Sequence, residues 1–162
     1  MNKKIRNASP VSSHNINFKS KTEESMFNTL FSKGFNPQYE PTTFTLWAGF
    51  TPVTPFYDKE TDKQKKKRDP KNKTFKQLVC KNTPIVGIRY TPDIYFNYKG
   101  LDVYIEVKGF ENDVFYIKKK LFRKYLDDKL NLTGQKSIYF EIYTKKQLLQ
   151  AIEIIEEYVK ED

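Results

Sequence analysis

The chain has 162 residues, 38% of them hydrophobic, and 29 Lys and Arg against 20 Asp and Glu give a formal charge of +9. That length suits one domain with its own core rather than two, and the single cysteine, Cys80, excludes an internal disulfide or a cysteine-built zinc site. The single histidine, His14, leaves little for histidine triads or histidine-rich zinc centres.

No apolar run approaches the ~18 residues of a membrane span, and the first residues lack an apolar signal segment. A soluble, cytoplasmic protein without a membrane partner is expected. The 11 Tyr and 13 Phe supply bulky surface that a disordered chain would lack, so a folded core with polar extensions is predicted. Charge is uneven: residues 59–81 carry ten basic and three acidic side chains, 10 − 3 = +7, whereas 144–162 carry three and five, 3 − 5 = −2. A polyanionic partner fits that asymmetry, because each phosphate met by Lys or Arg releases condensed counterions.

Residues 1–18 mix Asn, Ser, Lys and Pro without a period and read as a flexible basic arm, with His14 as a solvated tail residue. A single domain is expected over 19–162. Its first helix is capped by Ser20 with Glu23 three residues on, carries an apolar stripe of Met26, Phe27, Leu30 and Phe31, and stops at Gly34. From Tyr39 to Phe56 the aromatic and threonine content predicts strand broken by Pro and Gly. Residues 57–76 are charged and nearly free of aliphatics, which predicts an exposed loop or hairpin tip.

Strands follow up to Tyr98, with Lys99-Gly100 as the turn into "LDVYIEVKG", so two antiparallel strands are implied. Val114, Ile117, Leu121 and Tyr125 lie at helical spacing beside Lys118, Lys119, Lys120, Arg123 and Lys124, predicting a basic amphipathic helix. "KSIYFEIY" reads as a strand. Thr144 with Gln147 opens a last helix that buries Leu148, Ile152, Ile155 and Val159. The order predicts an α/β fold, α+β with a mixed sheet and helices on both sides.

Within the second hairpin strand, alternate side chains share a face, so Glu106 and Lys108 project together while Ile105 and Val107 point the other way. Asp93 lies one hairpin away, and antiparallel pairing brings its carboxylate toward Glu106. A divalent cation relieves the cost of two neighbouring carboxylates, since Mg²⁺ prefers hard oxygen ligands.

"TPD" at 91–93 and "EVK" at 106–108 resemble the signature of the PD-(D/E)xK nuclease superfamily, in order and spacing. "FKSKTEESMFNTLFSKGFNPQYE" (18–40), "YTPD" and the trailing "KG" are similar to the phage Holliday-junction resolvases of the endonuclease I type. Related transposon-end and phage endonucleases share these features. The likeness covers roughly residues 18–48 and 85–143.

It implies a restriction-endonuclease-like core and Mg²⁺-dependent hydrolysis of DNA, with Mn²⁺ as a substitute and branched DNA among the substrates. It also implies Asp93, Glu106, the Val107 backbone carbonyl and Glu23 as metal ligands, and Lys108 as the group that positions or activates water. Glu23 has an alternative role as the partner of Ser20 in the cap, with Glu24 in reserve.

Lys65, Lys66, Lys67 and Arg68, together with Lys118, Lys119, Lys120, Arg123 and Lys124, are the candidate DNA contacts. Homodimerisation is a possibility that the resemblance raises, and the insertion near 50–84 departs from it. Against the endonuclease stands a DNA-binding or assembly module that keeps the fold without catalysis.

Overall fold

A computed structural model describes residues 9–71, 75–109 and 113–160. In chain order the elements are β1 (Val11–Ser13), β2 (Ile16–Phe18), α1 (Lys21–Ser32), β3 (Gln38–Tyr39), β4 (Phe44–Trp47), β5 (Tyr57–Lys59), α2 (Asp62–Arg68), β6 (Leu78–Cys80), β7 (Ile88–Tyr90), β8 (Ile94–Tyr98), β9 (Leu101–Val107), α3 (Asp113–Thr133), β10 (Ser137–Ile142) and α4 (Lys145–Tyr158). Two compact units result, Met1–Leu46 with Arg89–Asp162, and Trp47–Ile88. The segment around the predicted insertion forms a compact unit of its own.

The first unit is built on a four-stranded mixed sheet in the order β10-β9-β8-β3, with β10 parallel to β9 and the other pairs antiparallel. The β8–β9 turn lies where the sequence places it: Lys99 and Gly100 both take positive φ, 49° and 88°, the backbone a two-residue hairpin requires. Every residue of β9 is buried, because helices cover both faces.

Leu101, Val103, Ile105 and Val107 pack with Met26, Phe27 and Leu30 of α1 and Leu148, Ala151, Ile152 and Ile155 of α4. On the other face Tyr104 joins Tyr90 and Phe115, Phe122 and Leu126 of α3. The mixed α and β class expected from the sequence is what forms.

Local signals place several helix ends. Ser20 caps α1 by accepting from the Glu23 N–H, and the Gly34 and Phe35 N–H groups close its far end on Phe31 and Leu30 carbonyls, a Schellman arrangement that needs the φ of 87° at Gly34. Thr144 and Gln147 form the expected capping box on α4, and its buried stripe is the predicted one, with Val159 half-buried against it.

Three expectations are corrected. Part of the presumed arm is structured: β1 and β2 pair across a turn at His14 and Asn15, both in the left-handed region, and Phe18 is buried against Phe27 and Tyr39. His14 sits 5.2 Å from the ring of Phe31, which is itself exposed rather than part of the buried stripe. Residues 1–8 of that arm lie outside the described residues.

On α3 the predicted apolar stripe is off by a position. Val114 and Ile117 are exposed, and Phe115, Phe122 and Leu126 are buried, because the opposing sheet face is aromatic: it takes the Phe122 ring edge-on at Tyr90 and Tyr104 and meets Phe115 tilted against Tyr90.

Finally, the described part of 57–76 is not loop alone. It contains β5 and α2, the latter opened by a Thr61–Gln64 capping box. In this second unit β5 pairs antiparallel with β6. A Cβ on Gly49 would lie 2.5 Å from the Ile85 carbonyl oxygen, so the two backbones there approach closer than any other residue allows.

Candidate active site

The β8–β9 register sets the site. Ile94 pairs with Ile105, so Asp93, one residue before β8, stands opposite Glu106, and even-numbered residues of β9 face α3. Asp93 and Glu106 thus share a face of the sheet, as the sequence argument requires. The Asp93 carboxylate accepts the Val107 N–H at 2.7 Å. Glu106 accepts the Tyr90 hydroxyl at 2.5 Å through one oxygen and pairs with the Lys108 ammonium at 2.5 Å through the other. Lys108 also lies 3.2 Å from the centre of the Phe115 ring.

Burial, and then the neighbouring charge of Glu106, pushes the Asp93 carboxyl up to about 8, while the Val107 N–H pulls in the opposite direction. Burial raises the Tyr90 hydroxyl as well, with Glu106 adding to it. Asp93 is thus held beside a second acid with too little solvation to ionise easily.

They line a cavity of about 510 Å³ with Glu40, Lys108, Lys19, Arg89 and Lys118 among its other walls. This is a mixed-sign site, lined by three acids and four cations. Neither Arg89 nor Lys118 makes an ion pair among the described residues, whereas Lys19 is paired with Glu40.

The remaining predicted residues divide. Glu23 is buried, but its carboxylate is taken by the Ser20 hydroxyl (2.9 Å), the Lys19 N–H (3.2 Å) and the Tyr39 hydroxyl (2.5 Å). Its position is that of the helix cap, although its charge still raises Asp93. Glu24 is partly exposed and does not line the cavity. Val107, the residue whose carbonyl the likeness implies as a ligand, presents its N–H to Asp93.

Among the described residues no three His, Cys, Asp or Glu side chains stand close enough together to hold a metal ion. The donor set that fits a hard cation is the Asp93–Glu106 pair, by the chemistry of its oxygens and because one ammonium, Lys108, faces two carboxylates.

Of the candidate DNA contacts, Lys118 lines the cavity, and Lys66, Lys67, Lys120 and Arg123 are exposed. Lys119 is tied to Glu141 at 2.8 Å and Lys124 to Asp128 at 2.5 Å. One is corrected, since Lys65 is buried; Arg68 is exposed and pairs with the buried Glu60, which also accepts the Gln77 N–H. A run of like charges reads as one exposed face in sequence, but a helix turns some of its members inward.

Sequence reasoning missed Glu40, Arg89 and Lys19. Glu40 has φ 44° in a non-glycine residue, its N–H donates to the Asp93 carbonyl at 2.9 Å, and its carboxylate enters the same cavity. The signal was its place just after the aromatic Tyr39 of β3. Tyr90, Tyr95 and Tyr104 serve sheet packing, and Tyr90 additionally fixes Glu106.

Compared with protein-family models, curated proteins and solved structures, the chain matches none.

Proposed function

We propose that the protein is a divalent-metal-dependent endonuclease that hydrolyses phosphodiester bonds in DNA, on a restriction-endonuclease-like core. The observation that carries this reading is the buried, same-face pairing of Asp93 and Glu106 beside Lys108, with Asp93 raised by burial and then by the charge of Glu106, since one ammonium serves two carboxylates. Asp93 and Glu106, with the Val107 carbonyl, would hold Mg²⁺ or Mn²⁺. When bound, the cation supplies charge neutralisation at the phosphate and a more acidic water. Lys108 orients that water from beside Glu106. Lys19, Arg89 and Lys118, lining the cavity, draw the phosphate toward the acids. Glu23, held in the α1 cap by Ser20, Lys19 and Tyr39, would add its negative charge near the cation, and would become a ligand only by giving up the Tyr39 hydroxyl.

Branched DNA, in phage or mobile-element recombination within a bacterial cytoplasm, is the substrate and setting this reading favours, and a homodimer its expected state.

Incubation with a four-way junction and a matched duplex, in Mg²⁺ or EDTA, tests the proposal. Metal-dependent nicking that vanishes in Asp93→Ala supports it, and no cutting in any metal removes it. The absence of a third close acid among the described residues favours one competing reading, a binding module with a nuclease-like fold. That reading expects junction binding without cleavage.

A further inference from the structure

We infer that the Trp47–Ile88 unit is a binding surface for unpaired nucleic-acid strands, on which bases stack against aromatic side chains while lysines follow the phosphates. Its surface is unusually apolar. Among the described residues of this unit nine large hydrophobic side chains are exposed, and five are aromatic: Trp47, Phe50, Phe56, Tyr57 and Phe75, between 42% and 60% accessible. A unit that needed these rings for its own core would have buried them.

The ladder β5–β6 shows how they are presented. Tyr57 opposes Cys80 and Lys59 opposes Leu78, so these four side chains share one face, and all four are exposed.

Charge identifies the occupant. The segment carries ten Lys and Arg against four acids, 10 − 4 = +6. Three of the acids are already matched, Glu60 with Arg68, Asp62 with Lys76 and Asp58 with Lys81. Lys59, Lys63, Lys66, Lys67 and Lys71 make no ion pair among the described residues. A second copy of this chain would set like charge against like, which opposes association. A polyanion is favoured, and among polyanions a single strand offers base faces to exposed rings, whereas a duplex keeps its bases stacked. Preferring nucleic acid to an anionic membrane rests on the phosphodiester reading of the cavity.

Trp47 is the only tryptophan, so indole emission reports on this unit alone. The full chain, in EDTA, is titrated with an oligothymidylate, with a duplex of equal length and with phosphatidylserine vesicles. The expected result is quenching by the single strand, with affinity at least about tenfold above that for the duplex at equal salt. Phe56→Ala and Tyr57→Ala should each weaken single-strand binding about tenfold. Lys66→Ala with Lys67→Ala should reduce the logarithmic salt slope by about 1.4. Should an alanine variant unfold, Phe56→Leu keeps the apolar volume and still removes the ring.

Equal or tighter duplex binding, quenching by vesicles alone, emission that changes only with protein concentration, or affinity unchanged in Phe56→Leu overturns the inference. Asp93→Ala separates the two proposals. Quenching without cleavage in any metal leaves this surface standing and removes the hydrolytic reading; cleavage without single-strand quenching does the reverse.

Discussion

Two ends of one strand solve the same problem differently. Asp102 and Glu106 both lie on the α3 face of β9, and both are buried. Asp102 is closed off: it accepts from Tyr95 at 2.9 Å and Asn97 at 2.8 Å on one oxygen, and pairs with Lys129 at 2.6 Å on the other. Burial alone would raise its carboxyl, but those three partners outweigh it and hold the group below the ordinary carboxylate range. At the other end Glu106 has a single cation, Lys108, and shares its surroundings with Asp93, which is raised. One acid is neutralised by the fold, whereas the acid pair is left for something that the fold does not contain. Burial of a charge therefore does not itself mark a site; incomplete neutralisation does.

The sharpest way to break this comparison is to remove an acid at each end. Asp93→Ala or Glu106→Ala should lower metal-dependent cleavage on the order of 10³-fold, measured in single turnover, with junction binding in EDTA retained. Asp102→Ala should retain cleavage and instead destabilise the protein by about 3 kcal/mol, because Lys129 is left without its partner. Denaturant unfolding measures that cost, and Asp102→Leu with Lys129→Met should recover most of it. Cleavage lost in Asp102→Ala with stability intact would reverse the two assignments.

The ends also differ in the pH at which they contribute stability. The Asp93 carboxyl moves from 3.8 to about 8 on folding, so the folded state binds its proton more tightly. Its contribution is complete below the unfolded value and is lost as pH rises through the folded one. In EDTA the melting temperature should fall between about pH 5 and pH 8, and Asp93→Asn should flatten that decline. Added Mg²⁺ should recover most at the upper end, where it no longer competes with a proton. Asp102, lowered on folding, acts in the opposite sense: its contribution is present above the ordinary carboxylate range and is lost only as pH falls through the depressed folded value. Scanning calorimetry across that range checks both.

What was legible in the sequence was local or periodic. Ser20, Gly34, Thr144 and the Lys99-Gly100 turn announce themselves through backbone chemistry that few residues satisfy, and period two alone puts Glu106 with Lys108 and apart from Ile105. The illegible parts depend on partners distant in sequence. The Glu60–Arg68 pair that helps make 57–76 more than a loop is invisible in a charge count. So is the aromatic sheet face that selects Phe115 and Phe122 over Val114 and Ile117. Glu40 escaped notice because its role comes from a positive φ and a bond to the Asp93 carbonyl, neither of which composition reports.

Glu23 supplies the finest test, since it stands between the two kinds of acid. Its carboxylate is satisfied like that of Asp102, through Ser20, Lys19 and Tyr39, yet its charge reaches Asp93. Ser20→Ala removes the cap from α1 and one of those donors, leaving the Tyr39 hydroxyl in place. The expected cost is about 1 kcal/mol of stability, read as a shift in denaturant midpoint with an unchanged slope. Cleavage should stay within about threefold of wild type, a change well under 1.4 kcal/mol. A loss of cleavage approaching that of Asp93→Ala, with the helix still formed by circular dichroism, would show that the Ser20 hydroxyl holds Glu23 for the reaction rather than for the helix, and would move this acid from the neutralised group to the open one.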